Sequence, residues 1–217
     1  MNVAERPLLQ SVGDSIAAPR SAWSFGGAVP ETFEEHVRRS VPGYDTGHEI
    51  ILQVSDFFVH DSSMCYEIGA SKGKLISALA ERHESRGSWI GLDIERSMVK
   101  FAGRRHKGSS AQFALADACQ YNYQSCDLII AYYTVQFVRP HQRQALINSL
   151  YGALNWGGAL LMFEKVRTRM PASRTYAPAS TTISSVATIS RRTRSWPSRT
   201  VCAVCWNHSL LRPTSTC

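Results

Sequence analysis

"YEIGASKGK", residues 66–74, decides how the rest of the chain is read. An apolar run leads into it, a helical pattern leads out of it, and two glycines stand between. Gly69 and Gly73 let the backbone approach a ligand closely and leave amide groups free at a helix start. The spacing E-x-G-x-S-x-G, from Glu67 to Gly73, differs from the dinucleotide fingerprint G-x-G-x-x-G. Strand, glycine turn and helix form the opening unit of an open parallel sheet, whose ligands sit at the strands' carboxyl ends.

The same alternation continues outward. "MCYEI" (64–68) reads as a buried strand and 72–83 as a helix with Ile76, Leu79 and Ala80 inward. "WIGLDI" (89–94), "QFALA" (112–116), "DLIIAYY" (127–133) and "ALLMFE" (159–164) read as further strands. Helices are expected over 97–106 and 142–154, the second stopped by Asn155-Trp156-Gly157-Gly158. Upstream, a helix over 30–40 is followed by a second one, capped by Asp45, with Ile50, Ile51, Val54, Phe57 and Phe58 in one stripe. Near-continuous apolar strands separated by helices predict an α/β, Rossmann-like three-layer sandwich. The parallel sheet is expected to be truncated after its fifth strand. Residues 1–21 read as a mobile leader, 22–167 as one domain and 168–217 as an irregular, disordered basic tail.

Charge supports that division. The chain carries a formal net charge of +7, yet all 17 acidic residues precede Thr168 and seven of the 24 basic residues follow it. The body is therefore neutral, with no basic surplus to suggest direct nucleic-acid binding. No apolar run approaches the roughly 20 residues of a spanning helix. Six cysteines without framework spacing read as free thiols in a reducing cytoplasm. The seven histidines fall on separate elements, so no metal cluster or Ser-His-Asp arrangement is expected, and no catalytic residue is assigned.

Two acids complete a ligand site. Asp93 ends the second strand, where a carboxylate can accept both hydroxyls of a ribose; Asp117, beside Ala118, ends the third, where an adenine amino group can be read. Tyr132, Tyr133 and Gln136 lie at or just past the end of the fourth, where a substrate would approach.

Glu67-Ile68-Gly69-Ala70-Ser71-Lys72-Gly73, Asp93 and Asp117 resemble the cofactor motifs of class I S-adenosylmethionine-dependent methyltransferases. Over residues 23–167, "SVPGY" (40–44), "YYTVQFVRPHQRQAL" (132–146) and "LNWGGALLMFEKV" (154–166) resemble the carboxy-S-adenosylmethionine synthase group. The resemblance implies S-adenosyl-L-methionine, or its carboxylated derivative, as cofactor. It implies contacts from Tyr44, Glu67, Gly69, Ala70, Ser71, Gly73, Asp93, Ile94, Asp117, Ala118 and Tyr132, with the helix after Tyr44 as a lid. For the synthases it further implies prephenate as substrate and a part in tRNA wobble-uridine modification; for related enzymes, pairing as homodimers. Tyr132 stands where the synthases carry Asn, and no segment aligns with their carboxylate-binding Arg. Three readings follow: a methyltransferase acting on a small molecule or on an unassigned methyl acceptor, a synthase-like enzyme, and an inactive cofactor-binding remnant.

The tail invites one more reading. With each codon taken from its third base, Met170-Pro171 forces Ala and Trp206-Asn207 forces Glu, and the flanking codons permit Pro-Asp-Ala-Arg-Phe-Gln and Leu-Arg-Gly-Val-Leu-Glu-Pro-Phe. Both strings resemble what the synthase group carries after its "FEKVR". A single-base shift near codon 167 would account for an acid-free, Arg-rich tail. Sequencing the coding DNA is expected to find the alternative frame open across codons 168–217; a stop codon there would overrule the reading.

Overall fold

Every residue of Cys126–Tyr132 is buried, and this strand lies at the centre of the sheet. The computed structural model describes residues 37–38, 41, 43–84, 86–167, 182–190 and 201–206. The expected leader, 1–21, lies outside them, as does most of the helix expected over 30–40, of which Val37 and Arg38 are helical. The elements, in chain order, are α1 (Tyr44–Ser55), β1 (Met64–Ile68), α2 (Lys74–Arg82), β2 (Ser88–Asp93), α3 (Arg96–Arg105), β3 (Ala111–Leu115), β4 (Cys126–Tyr132), α4 (Pro140–Ala153) and β5 (Leu154–Arg167). A 3-10 turn, Val135–Phe137, follows β4.

The first five strands form the parallel part, in the spatial order β3-β2-β1-β4-β5. The order reverses between β1 and β4, which opens a crevice at their carboxyl ends. Alternation along each strand divides the core. Cys65, Trp89, Leu128, Ile130, Ala159, Leu161 and Phe163 point to one face, with α1 and α2. Tyr66, Ile68, Leu92, Ile129, Ala131 and Leu160 point to the other, against Leu146 and Leu150 of α4. Burying each such aliphatic side chain is worth about 1.5–3 kcal/mol. That is why strands apolar on both faces outcompete helix in these runs.

The sheet does not stop at β5. Thr182–Ser190 (β6) pairs antiparallel with β5 and Val201–Trp206 (β7) pairs antiparallel with β6, giving seven strands. The parallel part ends at the fifth strand, as expected, and the two antiparallel strands beyond it are an addition that the sequence reading did not include. Both stretches are rich in β-branched residues, and an unpaired β5 edge is a template for any such segment. The rest of 168–217 lies outside the described residues.

A second correction concerns Asp45, which does not cap α1. The cap position is Gly43, in the left-handed region at φ 72°. Asp45 lies in the first turn, where its carboxylate accepts from Arg38 Nε at 2.7 Å and from Lys74 Nζ at 3.3 Å. The far end of α1 is also tied to α2. The Ser55 hydroxyl donates to Leu52 O and lies 2.8 Å from Nε2 of the buried His83. With the hydroxyl proton already used, Nε2 carries the proton of that bond. No helix among the described residues is long and apolar enough to cross a membrane.

At the other edge of the strand layer Asp127, buried at 8% exposure, accepts from Met64 N at 3.2 Å and from Asn155 Nδ2 at 2.8 Å, joining β1, β4 and β5. Asp127→Ala leaves two donors facing a gap, and a loss of roughly 2–3 kcal/mol is expected in urea unfolding. A change under about 0.5 kcal/mol would show that water replaces the carboxylate at no cost.

Candidate functional site

The loop leaving β1 takes its shape from three residues with positive φ: Gly69 at 71°, Ser71 at 51° and Gly73 at 75°. A Cβ at Gly69 would strike Thr134, so its backbone lies bare beside the turn after β4. Ser71 is not glycine and its left-handed backbone is strained. Its N–H is thereby aimed at Asp93 Oδ2, 2.7 Å away, while Glu95 N–H donates to Oδ1 at 2.8 Å. Each carboxylate oxygen keeps a lone pair for a ligand hydroxyl. Burial pushes the Asp93 carboxyl up, and the amide bonds from Glu95 and Ser71 hold it back.

Glu67 is 4% exposed and accepts from Ile76 N at 2.9 Å, tying the end of β1 to α2. Burial pushes its carboxyl up to about 8; the Ile76 amide opposes the rise and the charge of Asp93 adds to it. At the third strand's end Asp117 Oδ1 accepts from Cys119 N at 2.9 Å, in a tight Asx turn. Tyr123 donates to Ala118 O at 2.9 Å and steadies the same loop.

Over the crevice lies the first turn of α1. Tyr132, from the end of β4, donates its hydroxyl to Tyr44 O, and a Cβ at Gly47 would collide with its ring. The rings of Tyr44, His48 and Tyr133 stand 5.1, 4.8 and 4.8 Å from that of Tyr132. Burial pushes the Tyr132 phenol far above its usual range. Thr134 Oγ1 donates to Ile68 O at 2.8 Å, joining the turn after β4 to the glycine loop.

These parts enclose a cavity of about 800 Å3, within the range of small-molecule sites. Tyr44, Glu67, Gly69, Ala70, Ser71, Asp93, Ile94, Asp117, Ala118 and Tyr132 all line it, and Ile94 is two-thirds exposed. Gly73 does not line it: a Cβ there would meet Phe113 and Ala102, so this glycine serves the packing of α2 on β3 and α3. Tyr133 and Gln136 also line it.

Sequence reasoning did not single out Met98, Cys119, Thr134 and Phe137, which join the wall. Met98 was accessible from helical spacing, and Cys119 from its place two residues after Asp117. Thr134 and Phe137 sit on a turn whose direction the sequence does not encode locally. His48, read as a core or surface residue, is buried and faces the cavity. Among the described residues no group of three or more His, Cys, Asp or Glu is placed to hold a metal ion.

Residues 66–158 match the family described as "Methyltransferase domain". The curated relatives include carboxy-S-adenosyl-L-methionine synthases. That of Helicobacter hepaticus is 29% identical over 150 residues, covering 66% of this chain and 63% of the relative. That of Nautilia profundicola is 31% identical over 148 residues, covering 67% and 63%. The chain thus spans somewhat under two thirds of the length of these relatives. Among solved structures, a putative S-adenosylmethionine-dependent methyltransferase from Methanococcus maripaludis is similar with a TM-score of 0.54 at 20% identity, covering 65% of each chain. The plantazolicin methyltransferase BpumL in complex with SAH is similar with a TM-score of 0.52 at 11% identity, covering 65% of this chain and 55% of that one. These two likenesses show the fold.

The buried Glu67 carboxyl gives a sign that can be tested. Its folded value, about 8, lies above the unfolded carboxylate range, so its contribution to stability is present at low pH and is lost as pH rises from about 4.5 to about 8. Each unit of difference weighs about 1.4 kcal/mol. Glu67→Gln keeps an acceptor for Ile76 N–H and removes the titration. Urea midpoints should therefore fall more steeply with pH in the wild type than in the variant, and parallel curves would contradict the assignment.

Proposed function

We propose, from the match of residues 66–158 to the family described as "Methyltransferase domain", that this chain is a cytoplasmic transferase of the class I S-adenosylmethionine-dependent kind that takes S-adenosyl-L-methionine in the cavity at the end of β1. The observation carrying this reading is one wall that unites the bare loop Gly69–Ser71 with Asp93-Ile94 and Asp117-Ala118. Asp93, with a free lone pair on each oxygen, would hold the ribose hydroxyls, Ile94 and Ala118 would face the adenine, and the bare backbone at Gly69 would admit the remainder.

When bound, the cofactor supplies a sulfonium-activated carbon, already electrophilic. The protein's part is placement rather than acid–base chemistry. Tyr44 and Tyr132 cover the crevice against water, and Tyr133, Gln136 and Phe137 line the side left for a small-molecule acceptor.

A second reading, in which the product is a carboxylated cofactor made with prephenate for tRNA wobble-uridine modification, is favoured by the names of the curated relatives. Tyr132 in place of the synthases' Asn favours the first. Related enzymes pair, and a homodimer is part of either reading.

Calorimetry with S-adenosylhomocysteine tests the cofactor. Binding is expected, and Asp93→Ala should weaken it about tenfold to a hundredfold, the worth of hydrogen bonds to a charged acceptor. No heat of binding in the wild type would sink the proposal. A prephenate-dependent gain in cofactor mass would select the second reading, and binding without transfer to any acceptor would mark an inactive remnant.

A further inference from the structure

The turn after β4 is gripped from two sides. Glu164, on β5, places its two carboxylate oxygens on consecutive amides: Val135 N–H donates to Oε1 at 2.7 Å and Gln136 N–H to Oε2 at 3.1 Å. From α4, Arg143 donates from Nε to Val138 O and from Nη2 to Gln136 O, both at 2.8 Å. Thr134 Oγ1 fastens the start of the turn to Ile68 O. An acid therefore holds the N–H groups of the turn and a base holds its carbonyls. Thr134, Gln136, Phe137 and Val138 face the cavity, whereas Glu164 and Val135 do not.

We infer that Glu164 is a positioning residue: its ionised carboxylate fixes the turn 134–138 and so ties ligand affinity at the cavity to its own protonation. The inference rests on the cofactor reading above for the identity of the ligand, and on geometry alone for the turn.

The physical reason lies in what a carboxyl can accept. The ionised group accepts at both oxygens, as two converging amides require. In the protonated group one oxygen becomes a hydroxyl, a much poorer acceptor whose O–H competes with the amide for the same space. One of the two bonds is weakened and the turn slackens on that side.

The titration falls where it matters. Burial pushes the carboxyl up to about 7, opposed by the amides of Val135 and Gln136, the charge of Arg143 and the amide of Thr134. Among the described residues the charged side chain acting on it is Arg143 of α4; the turn presents the amides of Thr134, Val135 and Gln136. The wall is thus held above neutral pH and released as pH falls through about 7.

Glu164→Gln has the shape of the protonated acid at every pH. Calorimetry of the full chain with S-adenosylhomocysteine should find the variant several-fold weaker at about pH 8, with wild-type affinity falling up to about tenfold by about pH 6 and converging on the variant. Glu67 is common to both proteins, so its titration cancels in the ratio of their dissociation constants. A ratio that stays constant across this range overturns the inference.

The second measurement needs no ligand. The amide resonances of Val135 and Gln136 in the wild type should titrate together with a midpoint near 7 and stay still in the variant. Amides that do not titrate overturn the inference even where the variant fails to fold. If S-adenosylhomocysteine binds neither protein, the cofactor reading falls and the amide titration still decides the role of Glu164.

Discussion

The site depends on one hydrogen bond, from the Ser71 amide to the Asp93 carboxylate. It crosses from the loop after β1 to the end of β2 and holds Ser71 in a left-handed backbone that a serine does not favour on its own. Ala70 N–H, donating to Leu92 O at 2.9 Å, and Gly73 N–H, donating to Ala70 O at 2.8 Å, set the rest of the loop around it. Burial raises the cost of ionising Asp93, and the two amides it accepts offset that cost. The carboxylate that shapes the loop is also the one left facing the cavity. Asp93 therefore serves both the shape of the loop and the chemistry offered to a ligand.

How much of this was legible follows from where each element's energy comes from. The strand around Cys126–Tyr132 was readable nearly residue by residue, because a strand buried on both faces leaves an unbroken apolar run. β1 coincides with "MCYEI", and β2 and β3 begin one residue earlier than their apolar signal. The glycine loop, Asp93 and Asp117 were readable because each closes such a strand. Elements decided by distant partners were not. Asp45 has the composition of a cap, yet Arg38 and Lys74 claim its carboxylate and a left-handed Gly43 begins the helix. Gly73 has the spacing of a ligand loop, yet its missing side chain makes room for Phe113 and Ala102. Glu164 reads in sequence as the polar end of a strand, and nothing local reveals that two amides 28 and 29 residues away converge on it.

The tail illustrates the limit from the other side. Composition marks the stretch after Arg167 as foreign to the body: it holds no acid and no Lys, and seven Arg. Composition does not decide backbone pairing. Thr182–Ser190 adds to the ladder of β5, and Val201–Trp206 adds in turn to Thr182–Ser190. Any β-prone segment long enough to reach that edge gains the same main-chain hydrogen bonds. Their pairing is a property of backbone and β-propensity, independent of how the coding sequence of the tail arose.

Two acids flank β4, Glu67 buried and Glu164 half-buried, and their comparison explains how the inner wall is kept in order. Glu67 on β1 and Glu164 on β5 both accept main-chain amides from the element beside them, and burial raises both. They differ in what they hold. Glu67 takes one amide, from Ile76 inside a helix that is secured by the burial of Leu75, Ile76 and Leu79, so α2 keeps its place whichever way that carboxyl is charged. Glu164 takes two amides from a 3-10 turn of three residues, with Val135 its one buried side chain. A turn with so little packing of its own relies on the acid for its position. The same chemistry is therefore a structural tie on one side of the central strand and a point of control on the other.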